Sequence, residues 1–277
     1  MIRPLTARPG RAHALPRLIA TDLDGTLVGA GFAVSRRNAL ALTRASAAGT
    51  VVVLVTGRPI RWLPLVYADL GAGYPAVCAN GAVVYDPTED LVRDSWPLRP
   101  AEVREVCTRL RDRVPGVLFA AEVDGGRRLL HEPAWPVRHD ADNRAQAADL
   151  DELAGTPVVK LLARDPGRDS DSFTALAGAT VGDLVEATHS SYSGLVEMSR
   201  RGVTKATGLA RVAAERGITA PDVLAFGDMP NDISMLSWAG RSVVVANAHP
   251  LARAAADEIT LSNVDDGVAA YLEPLLP

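Results

Sequence analysis

The chain has 277 residues, 48% of them hydrophobic, with 29 basic against 33 acidic side chains and a net charge of -4. That length and apolar content support one large or two smaller packed cores and exclude a disordered chain. The mild acidity gives no general basic surface of the kind that holds nucleic acid or anionic lipid by releasing counterions.

Cys78 and Cys107 stand far apart with no C-x-x-C pair, which argues against a disulfide scaffold or zinc site and for buried free thiols in a reducing compartment. No apolar run approaches the ~18 residues of a membrane span. The first seventeen residues are rich in Arg, Pro and Ala and lack the apolar block of a secretory signal. Residues 1–16 therefore read as a flexible extension, and the protein as cytoplasmic.

The first element is the apolar run Leu18-Ile19-Ala20, with the length of a buried strand, broken by Gly25. Between them lies Asp22-Leu23-Asp24. In extended chain alternate side chains share a face, so the two acids point one way and Leu23 the other. A bare D-x-D is also a common solvated turn. After a buried strand, however, two adjacent acids repel each other, and a hard cation such as Mg2+ with phosphate is the usual compensation.

Residues 35–48 carry a helical stripe stopped by Gly49, and 51–55 is a continuous β-branched and Leu run, the pattern of a strand covered on both faces. Strand, helix and strand make a βαβ unit with parallel strands. Thr56-Gly57-Arg58-Pro59 closes the second strand and opens a helix with Pro59 in its first turn. The hydroxyl and backbone amides there face the same end of the sheet as Asp22. Residues 76–79 form a third strand ending in the turn signal Asn80-Gly81.

From 98 to 197 the pattern changes. A helix over 102–113 is followed by separated strands at 117–121, 127–131, 158–163 and 194–198 among Pro, Gly and Asp, which reads as a second α+β domain inserted into the first. The first pattern then returns: a helix over 205–216 closed by Gly217, a strand at 223–226, the acidic turn Gly227-Asp228-Met229-Pro230-Asn231-Asp232, a helix over 233–238, a strand at 242–246, further short elements at 250–256 and 259–261, and a last helix over 266–272. The core is a doubly wound sheet, in which sites lie beyond the strand carboxyl ends.

With these clusters in order, the sequence resembles the haloacid dehalogenase superfamily, in particular its Cof-type branch (subfamily IIB) of sugar-phosphate and related phosphatases. The carriers are DLDGT at Asp22, TGRP at Thr56, NGA at Asn80, a lysine opening a helix at Lys205, GDMPND at Asp228, and a tail with Asn247-Ala248 and Ser262-Asn263-Val264-Asp265-Asp266-Gly267-Val268. The resemblance implies a Rossmann-like core over 17–97 and 198–277 with a cap over 98–197. It implies a Mg2+-dependent phosphatase of a small phosphorylated metabolite such as a sugar phosphate, a monomer or weak homodimer without nucleic-acid or membrane partners.

Residue by residue, it makes Asp22 the nucleophile and Asp24 the acid and base. It places the metal on the Asp22 and Asp228 carboxylates and the Asp24 main-chain carbonyl, with Asp232 supporting a coordinated water. It gives the phosphate oxygens to Thr56, Gly57, Lys205 and Asn231. The gap from Asp24 to Thr56 is 32 positions (56 minus 24) and that from Thr56 to Lys205 is 149 (205 minus 56), so the cap enters the second gap, as in the branch with a C2-type α/β cap.

Other readings stand beside these. Thr56 could be a simple cap, Arg58 could close a salt bridge on its helix, and Asp228, Asn231 and Asp232 could form a solvated helix N-terminus. His131, His139 and His189 read as ordinary surface or packing residues. Of the 29 basic residues only Lys160 and Lys205 are lysine, and a compact ammonium suits a crowded phosphate site where a planar guanidinium does not fit. Two rival functions are a related phosphomutase and a non-catalytic binding module.

Overall fold

The structure is a computed structural model that describes residues 14–29, 31, 33–137 and 144–277. Most of the 1–16 segment and His139 lie outside the described residues. The chain divides into two compact units, one formed by 1–54, 65–74 and 210–277, the other by 55–64 and 75–209. Among the described residues no helix is long and apolar enough to cross a membrane.

The first unit is built on parallel strands. Leu18–Thr21, buried along its whole length, pairs on one side with Val51–Val55 and on the other with Val223–Gly227. The latter pairs with Arg241–Val244, and this with Glu258–Ile259, all in parallel. The chain thus steps to one side of Leu18–Thr21 for its second strand and returns on the other side for the later ones. That reversal is a topological switch point, and it leaves a crevice at the strand carboxyl ends.

Helix Arg36–Ala47 makes the first crossover. Ser35 caps it by accepting from the Asn38 amide, and Asn38, Ala39, Ala41, Leu42 and Ala45 form its buried face. Burying Asn38 would be costly without partners. Its Nδ2 donates to Leu27 O at 3.1 Å and its Oδ1 accepts from Ala269 N at 2.9 Å. One amide therefore ties the segment after Asp24 to the last helix, Gly267–Leu272. Phe226 meets Tyr271 edge to face at 5.5 Å between centroids.

The second unit begins where the second strand ends. Instead of opening an α-helix with Pro59, the chain makes a 3-10 turn over Ile60–Trp62 with Pro59 as its cap, and the α-helix starts at Pro64. The Asn80-Gly81 signal is a true hairpin turn: Ala76–Cys78 pairs antiparallel with Val83–Asp86, and this with Leu91–Ser95. Leu91–Ser95 is not apparent from the sequence pattern, because it alternates exposed with half-buried positions and carries no apolar alternation.

A six-stranded, mainly antiparallel sheet follows, with strands in the spatial order Val185–Thr188, Leu195–Arg200, Val158–Arg164, Leu118–Val123, Arg128–His131, Ala145–Ala147. The period of two sorts its residues onto two faces. Ala121, Val123, Leu161, Ala163, Val196 and Met198 pack with Val103, Cys107, Leu110 and Phe173 from helices Pro100–Arg113 and Ser170–Val181. The opposite face carries Ala120, Leu129 and Leu162. Glu122 stands directly across from Lys160, and Glu197 directly across from Leu162.

Candidate active site

Asp22 leaves the end of Leu18–Thr21 and Asp228 the end of Val223–Gly227. Because Thr21 and Phe226 are register partners on adjacent parallel strands, the two carboxylates are delivered to the same edge. The Asp22 amide donates to Phe226 O at 3.0 Å. Asp22, Asp228 and Asp232 are all buried and each brings a carboxylate oxygen within 4.8 Å of the other two.

Backbone and hydroxyl donors hold the group in place. Asp232 Oδ2 accepts from the amides of Asp228 and Met229, both at 2.9 Å, and Thr26 Oγ1 donates to Asp228 Oδ1 at 2.8 Å. With Asp228, Asn231 and Asp232 at 5, 7 and 0% exposure, this turn is no solvated helix cap. Two glycines make room for it. Gly25 has φ +83° and a Cβ there would overlap Asp228 Oδ2, while a Cβ on Gly227 would lie 2.6 Å from Asp232 Cβ. Asn247 Nδ2 donates to Gly25 O at 2.8 Å, and Asn263 N to Asn247 Oδ1 at 2.9 Å, so the tail motifs brace the acidic turn.

Three carboxylates at this spacing repel by about 3 kcal/mol per ionised pair at an effective dielectric constant of 20. The three hydrogen bonds to Asp228 and Asp232 offset part of that cost, and a shared cation would offset more of it. The donor set is oxygen only, without thiolate or imidazole, which fits a hard ion such as Mg2+ rather than a zinc or copper centre. Asp24 is half-buried and outside this carboxylate group.

The other expected residues belong to the second unit. Thr56 is buried at the end of its strand, its amide donating to Val77 O at 2.8 Å and its carbonyl accepting from Asn80 N at 3.1 Å. Its Oγ1 accepts from the Arg58 amide at 3.0 Å, a turn within the loop and not a helix cap, since Pro59 caps the 3-10 turn that follows. Lys205 opens helix Lys205–Ala214 and is fully buried. Thr204 and Thr207 cap that helix reciprocally through hydroxyl and amide groups. The helix abuts the Asn80-Gly81 turn: a Cβ on Gly81 would overlap Thr204 O, and one on Gly208 would stand 2.5 Å from Val77 Cγ1 and 3.0 Å from Gly81 Cα.

Sequence reasoning gave Lys160 no role. It is 3% exposed and donates to Gly57 O at 2.6 Å and Glu197 Oε1 at 2.8 Å, while Glu197 Oε2 accepts from Asn80 Nδ2 at 2.9 Å. Burial pushes the Glu197 carboxyl up, but the Lys160 charge and the hydrogen bonds from Lys160, Asn80 and Ser190 together hold it below the ordinary carboxylate value. Nearby, Arg61 pairs with buried Glu122, one guanidinium nitrogen lying 3.1 Å from Oε1. The scarcity of lysine was the available signal for Lys160. Nothing in the sequence marks Glu197 as its partner.

The sequence profile of the haloacid dehalogenase-like hydrolases matches residues 19–272. Among curated relatives, the Bacillus subtilis 5-amino-6-(5-phospho-D-ribitylamino)uracil phosphatase YitU is 27% identical over 263 residues, covering 93% of this chain and 97% of the relative. The Escherichia coli pyridoxal phosphate phosphatase YbhA is 28% identical over 271 residues, covering 92% and 97%. A solved haloacid dehalogenase-like hydrolase from B. subtilis superposes with a TM-score of 0.78 at 25% identity, over 94% of this chain and all of the other. A match running from the first core strand to the last helix leaves little of the chain outside it, and the protein belongs to the haloacid dehalogenase-like hydrolase family.

Proposed function

We propose that this protein is a Mg2+-dependent phosphomonoesterase that hydrolyses a small phosphorylated metabolite through an aspartyl-phosphate on Asp22. The observation that carries the reading is the meeting of buried Asp22, Asp228 and Asp232 within 4.8 Å at a switch point of parallel strands, an all-oxygen donor set that suits a hard cation. Asp22, Asp228 and the Asp24 carbonyl would hold the ion, with Asp232 supporting a coordinated water. When bound, Mg2+ supplies positive charge against the phosphoryl oxygens.

In the first step an Asp22 carboxylate oxygen bonds to phosphorus as the ester P–O bond breaks, and Asp24, as the acid, gives its proton to the departing oxygen. In the second, the Asp24 carboxylate takes a proton from water as the water oxygen bonds to phosphorus and the Asp22–phosphorus bond breaks. The sum is ester plus water giving alcohol plus phosphate. Thr56, the Gly57 loop, Lys205 and Asn231 bind the phosphoryl oxygens, a task of position and charge.

The two curated relatives are named for phosphate esters with unlike leaving groups, a ribitylaminouracil and a pyridoxal. The substrate class is accordingly kept to small phosphorylated metabolites, sugar phosphates included, with 98–197 as the cap that selects among them. Buried free thiols at Cys78 and Cys107 suit a cytoplasmic protein. Phosphate release from p-nitrophenyl phosphate and from a panel of sugar, nucleotide and cofactor phosphates, with Mg2+ and with EDTA, tests the reading. Turnover that needs Mg2+ and vanishes in Asp22→Asn, with an unchanged circular dichroism spectrum, supports it. Asp22→Asn activity within a few-fold of normal refutes the nucleophile, and isomer formation without phosphate release marks a mutase.

A further inference from the structure

Thr56 sits inside a closed circuit of hydrogen bonds within the second unit. Its carbonyl accepts from Asn80 N, Asn80 Nδ2 donates to Glu197 Oε2, Glu197 Oε1 accepts from Lys160 Nζ, and Lys160 Nζ donates to Gly57 O. The circuit closes at the Gly57–Arg58 peptide, whose carbonyl is held by Lys160 and whose N–H donates to Thr56 Oγ1. Asn80 and its neighbour Ala79 both take left-handed backbone conformations, with φ +57° and +51°. Such conformations are unfavourable for residues with a Cβ and persist where surrounding bonds over-determine them. Here the Ala79 amide donates to Arg58 O and the Asn80 amide to Thr56 O, at 3.1 Å each.

Two consequences follow for the Thr56 hydroxyl. Because Oγ1 accepts the Arg58 amide, its proton is directed away from that amide, and the side chain has one preferred torsion. A charged donor on the carbonyl side of a peptide also polarises its N–H, strengthening the bond that N–H makes. We propose that Lys160, with Glu197 as its counter-ion and Asn80 as the link back to the loop, is a positioning residue that aims the Thr56 hydroxyl and the Gly57 loop at a phosphoryl oxygen. Lys160 itself touches no reacting atom. This rests on the phosphatase reading above, in which Thr56 is a phosphate ligand.

The test is a double-mutant cycle on turnover of p-nitrophenyl phosphate in Mg2+. Thr56→Val and Lys160→Met should each lower kcat about 100-fold, the scale of losing one aimed donor at a developing charge. In the Thr56→Val background, adding Lys160→Met should lower kcat less than about threefold, since groups acting through one another are not additive. A merely structural lysine would give the opposite pattern, with the two losses multiplying, and that result overturns the proposal.

Lys160→Met/Glu197→Met covers the case in which the single variant folds poorly. It removes both buried charges and should recover thermal stability without recovering kcat; recovery of both overturns the proposal. Failure of the underlying reading looks different. An unmutated chain without turnover, or a Thr56→Val enzyme with normal kcat and normal inhibition by inorganic phosphate, removes the phosphate loop and this proposal with it.

Discussion

Two buried charge clusters in this molecule obey opposite rules. In the first unit Asp22, Asp228 and Asp232 gather like charges within 4.8 Å. In the second, Lys160 with Glu197 and Arg61 with Glu122 bury opposite charges as pairs. The paired cluster is complete within its own unit and needs nothing from solution. The acidic cluster is shaped by amides, a threonine and two glycines, and a visiting cation would relieve the repulsion within it. Opposite charges buried as a pair fix the geometry of the loop beside them, whereas like charges gathered together make a place that favours a cation.

Breaking the acidic cluster should have the largest effect on function and a contrary effect on stability. Asp228→Asn is expected to lower kcat at least ~10³-fold, to raise the melting temperature in EDTA by relieving repulsion, and to abolish the further rise that Mg2+ gives the unmutated protein. For a binding ion at a hundred times its Kd that rise corresponds to ~2.7 kcal/mol. Thermal melts with and without Mg2+ check all three, and an Asp228→Asn protein less stable than the parent in EDTA would break the contrast.

The paired cluster should behave the other way. Lys160→Met leaves Glu197 buried without its cation and is expected to cost ~3–5 kcal/mol of unfolding free energy in urea, most of it regained in Lys160→Met/Glu197→Met. A smaller loss, about 1–3 kcal/mol, is expected for Gly25→Ala, which must hold φ near +83° and displace the Asp228 carboxylate. Its Mg2+ response should weaken in parallel.

Acid titration sharpens the comparison further. Glu197 is held below its ordinary value of 4.5, so its ionised form stabilises the fold at neutral pH, and that contribution drains as the pH falls from about there through the depressed folded value. Glu197→Gln should flatten this acid limb of the stability curve. The smallest effect is at the thiols: burial pushes both Cys78 and Cys107 up to about 12, so neither should react with Ellman's reagent at pH 8 before the protein unfolds.

The parallel strands and crossover of the first unit were legible because apolar runs such as 18–20, 51–55 and 223–226 can be buried on both faces, and the glycine and proline stops lie where the chain turns. The acidic group was legible because its members sit in short motifs directly after those strands. The second unit was harder to read. Leu91–Ser95 pairs through its backbone while its side chains are exposed or half-buried, and Glu197 and Lys160 are brought together by strand register, with Asn80 reaching Glu197 across 117 positions. Register of that kind leaves no local pattern. Pro59 misled because a proline suits a 3-10 cap as well as a first helical turn.

The glycine pair at 81 and 208 bears on how this chain can change. Each lies where a single methyl group would push the Lys205 helix off the Asn80 turn, so the distance between them is set by two absent carbons. Random mutagenesis would find almost no neutral neighbours at either codon, and a library meant to redirect substrate choice would do well to leave both untouched.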